Sequence, residues 1–217
     1  EEATRALLGW ARWRLGDYDS QFDLQDLADG VVFCDLVSKL MPESAPLKPQ
    51  RKPRMHIQRV GNVSQAIDAI TGVLQCQPGG RRILSAEQIA RGDTVCLEGV
   101  LWVLFMKDLV RTNVCIQESG ISKELLQWTQ SNGISGDTFE RCLCDGPGWC
   151  NLLGVEWHEL SKAEQIPAAF AAARDTSSLS VPDVLSPTSQ NGTAIMIYVG
   201  TLAMAMKTPT ALTKAAR

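Results

Sequence analysis

Three kinds of residue grouping in this 217-residue chain are ones that catalysis or metal binding uses. Cys142, Cys144 and Cys150 offer thiolates close together in sequence. A structural zinc site needs four donors, usually as paired CxxC units or two cysteines with two histidines. Here no paired CxxC is present, and His56 and His158 are the only imidazoles. Gly79-Gly80-Arg81-Arg82 has the glycines of a phosphate-cradling loop but lacks the following Lys-Ser/Thr that would contact phosphate and magnesium. Asp29-Gly30 and Asp145-Gly146 each set a carboxylate beside a permissive backbone. Both are read as helix starts, the aspartate capping free N–H groups and the glycine letting a neighbouring backbone approach. No nucleophile with a base and no converging carboxylates emerge. The reading is no metal, no cofactor and no enzyme.

Bulk properties agree with a binding protein. Apolar residues make up 45% and charged residues 21%, as in an ordinary globular chain. The net charge of −3 gives little non-specific pull toward nucleic acid. Residues 1–112 hold 14 Lys/Arg against 14 Asp/Glu, while 113–217 hold 7 against 10, so the first half is better suited to an acidic partner. Seven cysteines is an odd number, and several lie in apolar helical stretches. Buried thiols in a reducing compartment account for them better than disulfides. The apolar run from Ile195 to Met206 is about half the ~20 residues that a membrane span requires. No signal-peptide pattern opens the chain. The expected location is the cytoplasm.

The elements that would position these residues are helical, and their plan is written twice. Leu7-Leu8-Gly9-Trp10 and then Ala28-Asp29-Gly30-Val31-Val32-Phe33-Cys34 are echoed by Leu125-Leu126-Gln127-Trp128 and then Cys144-Asp145-Gly146-Pro147-Gly148-Trp149-Cys150. Each half ends in a long apolar helix, Val95 to Leu109 and Ala194 to Met206. A helix is expected over 3–15, another from Asp26 or Asp29 to Met41, and a third capped by Asn62 and running to Gln75 before Pro78-Gly79-Gly80. Between the second and third lies an irregular proline-rich, basic segment, 42–54. A short turn follows Ser85, and Asp93 starts the long helix. That helix is apolar nearly all round, which predicts an enclosed position. Later helices are expected over 123–131, 148–153, 162–174 and 193–207. Trp10, Trp102 and Trp128 are read as core. The fold class is all-α, with domains at 1–112 and 119–210 and a linker at 113–118.

These patterns resemble tandem calponin-homology domains, a type 1 domain followed by a type 2 domain, as in the actin-binding regions of α-actinin, spectrin and fimbrin. Pro53-Arg54-Met55-His56-Ile57 with Asn62-Val63 and Ala66-Ile67, then Ile89-Ala90-Arg91-Gly92-Asp93 and Leu97 to Leu104, are similar to type 1. Ser122 to Gln130 and Ala194 to Val199 are similar to type 2. The resemblance covers essentially the whole chain. It departs at Ala3-Thr4-Arg5-Ala6-Leu7, which carries one charge where two are usual, and after Leu153, where the second copy is shortened.

The resemblance implies F-actin binding through three helical surfaces: Leu7, Leu8, Ala11, Arg12 and Arg14; Thr94, Val95 and Glu98; and Lys123, Glu124 and Gln127. A filament interface needs exposed apolar residues for affinity and basic residues for steering. The alternative partner is tubulin or another scaffold protein, met through Lys48, Arg51, Lys52, Arg54 and Arg59. Phosphoinositide binding through the same basic residues is a weaker third reading. The expected role is a cytoskeleton-associated module within a larger protein.

Overall fold

The computed structural model describes residues 1–16, 22–43, 46–73, 85–112, 120–175 and 189–207. All regular structure among them is helical: α1 Glu2–Leu15, α2 Val31–Leu40, α3 His56–Val73, α4 Ala86–Ala90, α5 Thr94–Thr112, α6 Ile121–Ser131, α7 Phe139–Cys142, α8 Gly146–Leu153, α9 Lys162–Asp175 and α10 Gly192–Lys207, with a 3-10 turn over Gln25–Asp29. The expected glycine stop at 78–80, the linker at 113–118 and Gly79-Gly80-Arg81-Arg82 lie outside the described residues.

Contacts divide the chain into two compact units, one of Arg14–Leu104 and one of Glu1–Trp13 with Phe105–Arg217. The boundary falls inside α5. This grouping by contact is a different division from the repeat copies, 1–112 and 119–210, which rest on pattern alone.

In the Arg14–Leu104 unit, α2 and α4 pack on α3. Phe33, Leu36, Val37, Val63, Ala66, Ile70, Ile89, Leu97 and Leu101 form its interior. Asp29 accepts the Val31 N–H at 2.7 Å and so starts α2. Gly30 sits between the 3-10 turn and α2 at φ +78°. A Cβ built there would lie 2.6 Å from Asn62 Cβ and 2.8 Å from the Val63 amide nitrogen. Only glycine satisfies both the left-handed backbone and this approach. α3 begins at His56, six residues before the expected start. Asn62 is therefore no cap. It is a buried clamp whose side-chain amide donates to the carbonyls of Asp29 and Gln50, both at 3.0 Å, and accepts from Gln50 N–H at 2.7 Å. The proline-rich segment needs such a partner because it has no ladder of its own. Ser85 caps α4 by accepting from Gln88, and Asp93 caps α5 by accepting from Cys96.

In the other unit, Trp10 of α1 is fully buried, edge-on to Phe105 at 5.5 Å, and its indole donates to Asp108 at 3.0 Å. α10 is buried on every side from Ala194 to Ala205. Its Gly200 lets Phe105 come so close that a Cβ would lie 2.7 Å from the ring. Trp149, absent from the expected core, is fully buried, edge-on to Phe170 at 5.8 Å, and donates to the Cys142 carbonyl at 2.8 Å.

Two expectations need correction. α10, and not α5, is the helix enclosed all round. α5 buries Leu97, Val100, Leu101, Leu104, Phe105 and Leu109 but leaves Val95 78% exposed and Trp102, Val103 and Met106 half-buried. Trp102 and Trp128 are half-buried, not core. An apolar ring of side chains states only that a helix dislikes water, not how many neighbours it receives.

The repeat extends to individual hydrogen bonds. The Cys34 thiol donates to the carbonyl of Asn62, the residue facing Gly30, at 3.2 Å. The Cys150 thiol donates to the carbonyl of Gln165, the residue facing Gly146, at 3.3 Å. The partners are 28 residues apart in the first copy and 15 in the second, so the second copy is shorter between Cys150 and Gln165.

Candidate partner-binding surfaces

The groups suited to chemistry are occupied by structure. Asp145 accepts from the Gly148 and Ser135 amides, and so starts α8. Burial pushes the Cys142 and Cys150 thiols up, and burial followed by the Asp35 charge pushes Cys34 up to about 11. Thiols so protected stay protonated, which suits packing and not metal ligation. Among the described residues no group of His, Cys, Asp and Glu has the geometry to hold a metal ion. His158 stacks on Trp157 at 4.3 Å. His56 pairs with Glu87 at 2.9 Å, and Glu87 also pairs with Arg91 at 2.8 Å. The His56 hydrogen bond holds the Glu87 carboxyl below its ordinary range. Among the described residues no helix is long and apolar enough to cross a membrane.

The three expected helical surfaces differ in availability. In α1, Leu7 is 4% exposed and Ala11 fully buried, because they share the inward face that carries Trp10; Leu8, Arg12 and Arg14 are half-buried. At the start of α5, Thr94 and Val95 are open to solvent and Glu98 is half-buried. In α6, Ile121, Leu125 and Thr129 face inward, which turns Lys123 and Gln127 outward and leaves Glu124 half-buried. The i, i+4, i+8 spacing of the buried set fixes which residues a partner can reach.

The basic residues Lys48, Arg51, Lys52, Arg54 and Arg59 are all exposed. Arg51 pairs with Asp35 at 2.5 Å. Sequence reasoning missed what lies among them: Met55 and Ile57, 56% and 69% exposed. The available signal was two large apolar residues inside a basic stretch, and it was hidden by placing the start of α3 at Asn62.

This arrangement, two copies of one helical plan with outward faces at the starts of α3, α5 and α6, defines an all-α fold. Residues 1–108 match the calponin homology (CH) domain, and this part of the chain belongs to that family. It is 24% identical to alpha-actinin-like protein 1 of Schizosaccharomyces pombe, over 98% of this chain and 37% of that protein. Its fold is similar to the crystal structure of the actin-crosslinking core of Schizosaccharomyces pombe fimbrin, with a TM-score of 0.65 and 16% identity over 94% of this chain and 48% of that one. The chain thus spans less than half the length of either relative.

Proposed function

We propose that this chain is a non-enzymatic F-actin-binding module, built of two CH copies at 1–112 and 119–210 and belonging to a larger cytoskeletal protein. The observation that carries the reading is a likeness over 94% of the chain to the actin-crosslinking core of a fimbrin, joined to an exposed apolar and polar helix start at Thr94 and Val95. Lys123 and Gln127 of α6 offer a second outward contact. Leu7 and Ala11 serve the core while α1 holds its present position. Binding then rests on complementary helix faces, with apolar side chains supplying affinity and charge supplying orientation.

Co-sedimentation with F-actin and, in parallel, with microtubules at two salt concentrations tests this. Pelleting with F-actin, reduced in Val95→Ser and with an unchanged melting temperature, is the expected result. Pelleting with microtubules alone would overturn it.

A further inference from the structure

We propose that the filament contact extends beyond the start of α5 over a second patch, in which Met55 and Ile57 make the apolar centre and Lys52, Arg54 and Arg59 the attracting rim for an acidic protein surface. This rests on the filament reading above and deepens it. Single exposed hydrophobes are common on protein surfaces and by themselves mean nothing. Here three features coincide.

The first is exposure. Of the large hydrophobic residues open to solvent among the described residues, three belong to the Arg14–Leu104 unit: Met55, Ile57 and Val95. The second is charge. From residue 44 to residue 67 the sequence contains no Asp or Glu, yet it holds Lys48, Arg51, Lys52, Arg54 and Arg59. Arg51 is paired with Asp35, whereas Lys48, Lys52, Arg54 and Arg59 are exposed and have no ion pair among the described residues. This excess of cations, with Asp35 and Glu87 as the carboxylates beside it, attracts an acidic partner. The third is continuity. His56, between Met55 and Ile57, pairs with Glu87, and Glu87 pairs with Arg91, just before Thr94 and Val95. A chain of side-chain hydrogen bonds, from His56 through Glu87 to Arg91, thus ties the start of α3 to the residues just before α5, so the two apolar groups lie on neighbouring elements.

A protein partner fits better than a bilayer. Glu87, whose carboxyl the His56 hydrogen bond holds below its ordinary range, carries a negative charge at neutral pH. An anionic headgroup layer would repel it, while a protein can meet it with a cation. Two apolar side chains are also a narrow footing for insertion into lipid.

The test is co-sedimentation of the full chain with F-actin, comparing wild type, Met55→Ser/Ile57→Ser and Arg54→Gln/Arg59→Gln. Sedimentation with phosphatidylserine-containing vesicles runs alongside, and circular dichroism melts check folding. Met55→Ser/Ile57→Ser is expected to weaken filament affinity about tenfold at every salt concentration. Arg54→Gln/Arg59→Gln weakens it about tenfold at low salt and less at high salt, because added ions screen the attraction. If wild type pellets and both variants pellet equally well, the extended patch is wrong while the filament reading stands. Loss of vesicle binding with unchanged filament binding assigns the patch to membranes and also overturns the inference. If wild type does not pellet at all, the filament reading falls and this one with it.

Discussion

Replacing Gly30 with alanine tests whether the close approach of α2's start to α3 is set by backbone geometry. The residue sits at φ +78°, where an L side chain is strained by about 1 kcal/mol. The added Cβ also meets Asn62 Cβ at 2.6 Å and the Val63 amide nitrogen at 2.8 Å, neither of which is the end of a flexible side chain. Forcing such overpacked contacts apart costs about 2 kcal/mol more. Gly16 supplies the control, because its φ is +72° and nothing lies within 4 Å of its built Cβ. Gly16→Ala therefore carries only the strain, about 1 kcal/mol, against about 3 kcal/mol for Gly30→Ala. In equilibrium urea unfolding followed by far-ultraviolet circular dichroism, a slope of about 2 kcal/mol/M turns these into midpoint losses of about 0.5 M and 1.5 M. Equal losses in the two variants would refute the steric part of the reasoning. No loss in either variant would refute all of it.

Asn62→Ala removes three hydrogen bonds that hold the Gln50 backbone and the Asp29 carbonyl, and should cost about 3 kcal/mol. It should also speed trypsin cleavage after Arg51 and Arg54, read by mass spectrometry; unchanged cleavage would contradict the clamp. Trp10→Phe deletes the indole donor to buried Asp108 and should lower stability by about 2 kcal/mol in the same urea assay, whereas an unchanged midpoint would mean the bond contributes nothing. The Cys34 thiol, raised to about 11 from an unfolded value near 9.0, stays protonated in the fold after the unfolded chain has ionised. The folded state then binds the extra proton, so stability is full below pH 9 and falls as pH rises from 9 toward 11. Wild type should lose about 2 kcal/mol more than Cys34→Ala across that window. At pH 8 a thiol reagent should label exposed Cys144 and spare Cys34, and fast labelling of Cys34 would contradict its burial.

Much of the fold was legible in the chain because helices announce themselves locally. Asp93 and Ser85 named their helix starts, and the two Asp-Gly pairs named the close approaches that Asn62 and Gln165 complete. Repetition gave the two-copy plan because each copy must bury its own apolar stripe. The candidate surfaces were less legible. The resemblance assigned Leu7 and Ala11 to a partner surface, but they share a face of α1 with Trp10, and whether that face meets a partner or the interior depends on what packs against it, here Phe105 and Asp108. The same limit holds for α5, which its nearly all-round apolar sequence placed in an enclosed position. Only assembly decided that α10 would be enclosed while Val95 stayed in water. Asn62 shows the cause most clearly: a good cap by type, it became a buried clamp once α3 started at His56 and the proline-rich segment folded back onto it. Helix formation is governed by neighbours a few residues away, so sequence determined it; burial is governed by residues far along the chain, so only the tertiary structure settled which helix faces remain for a partner.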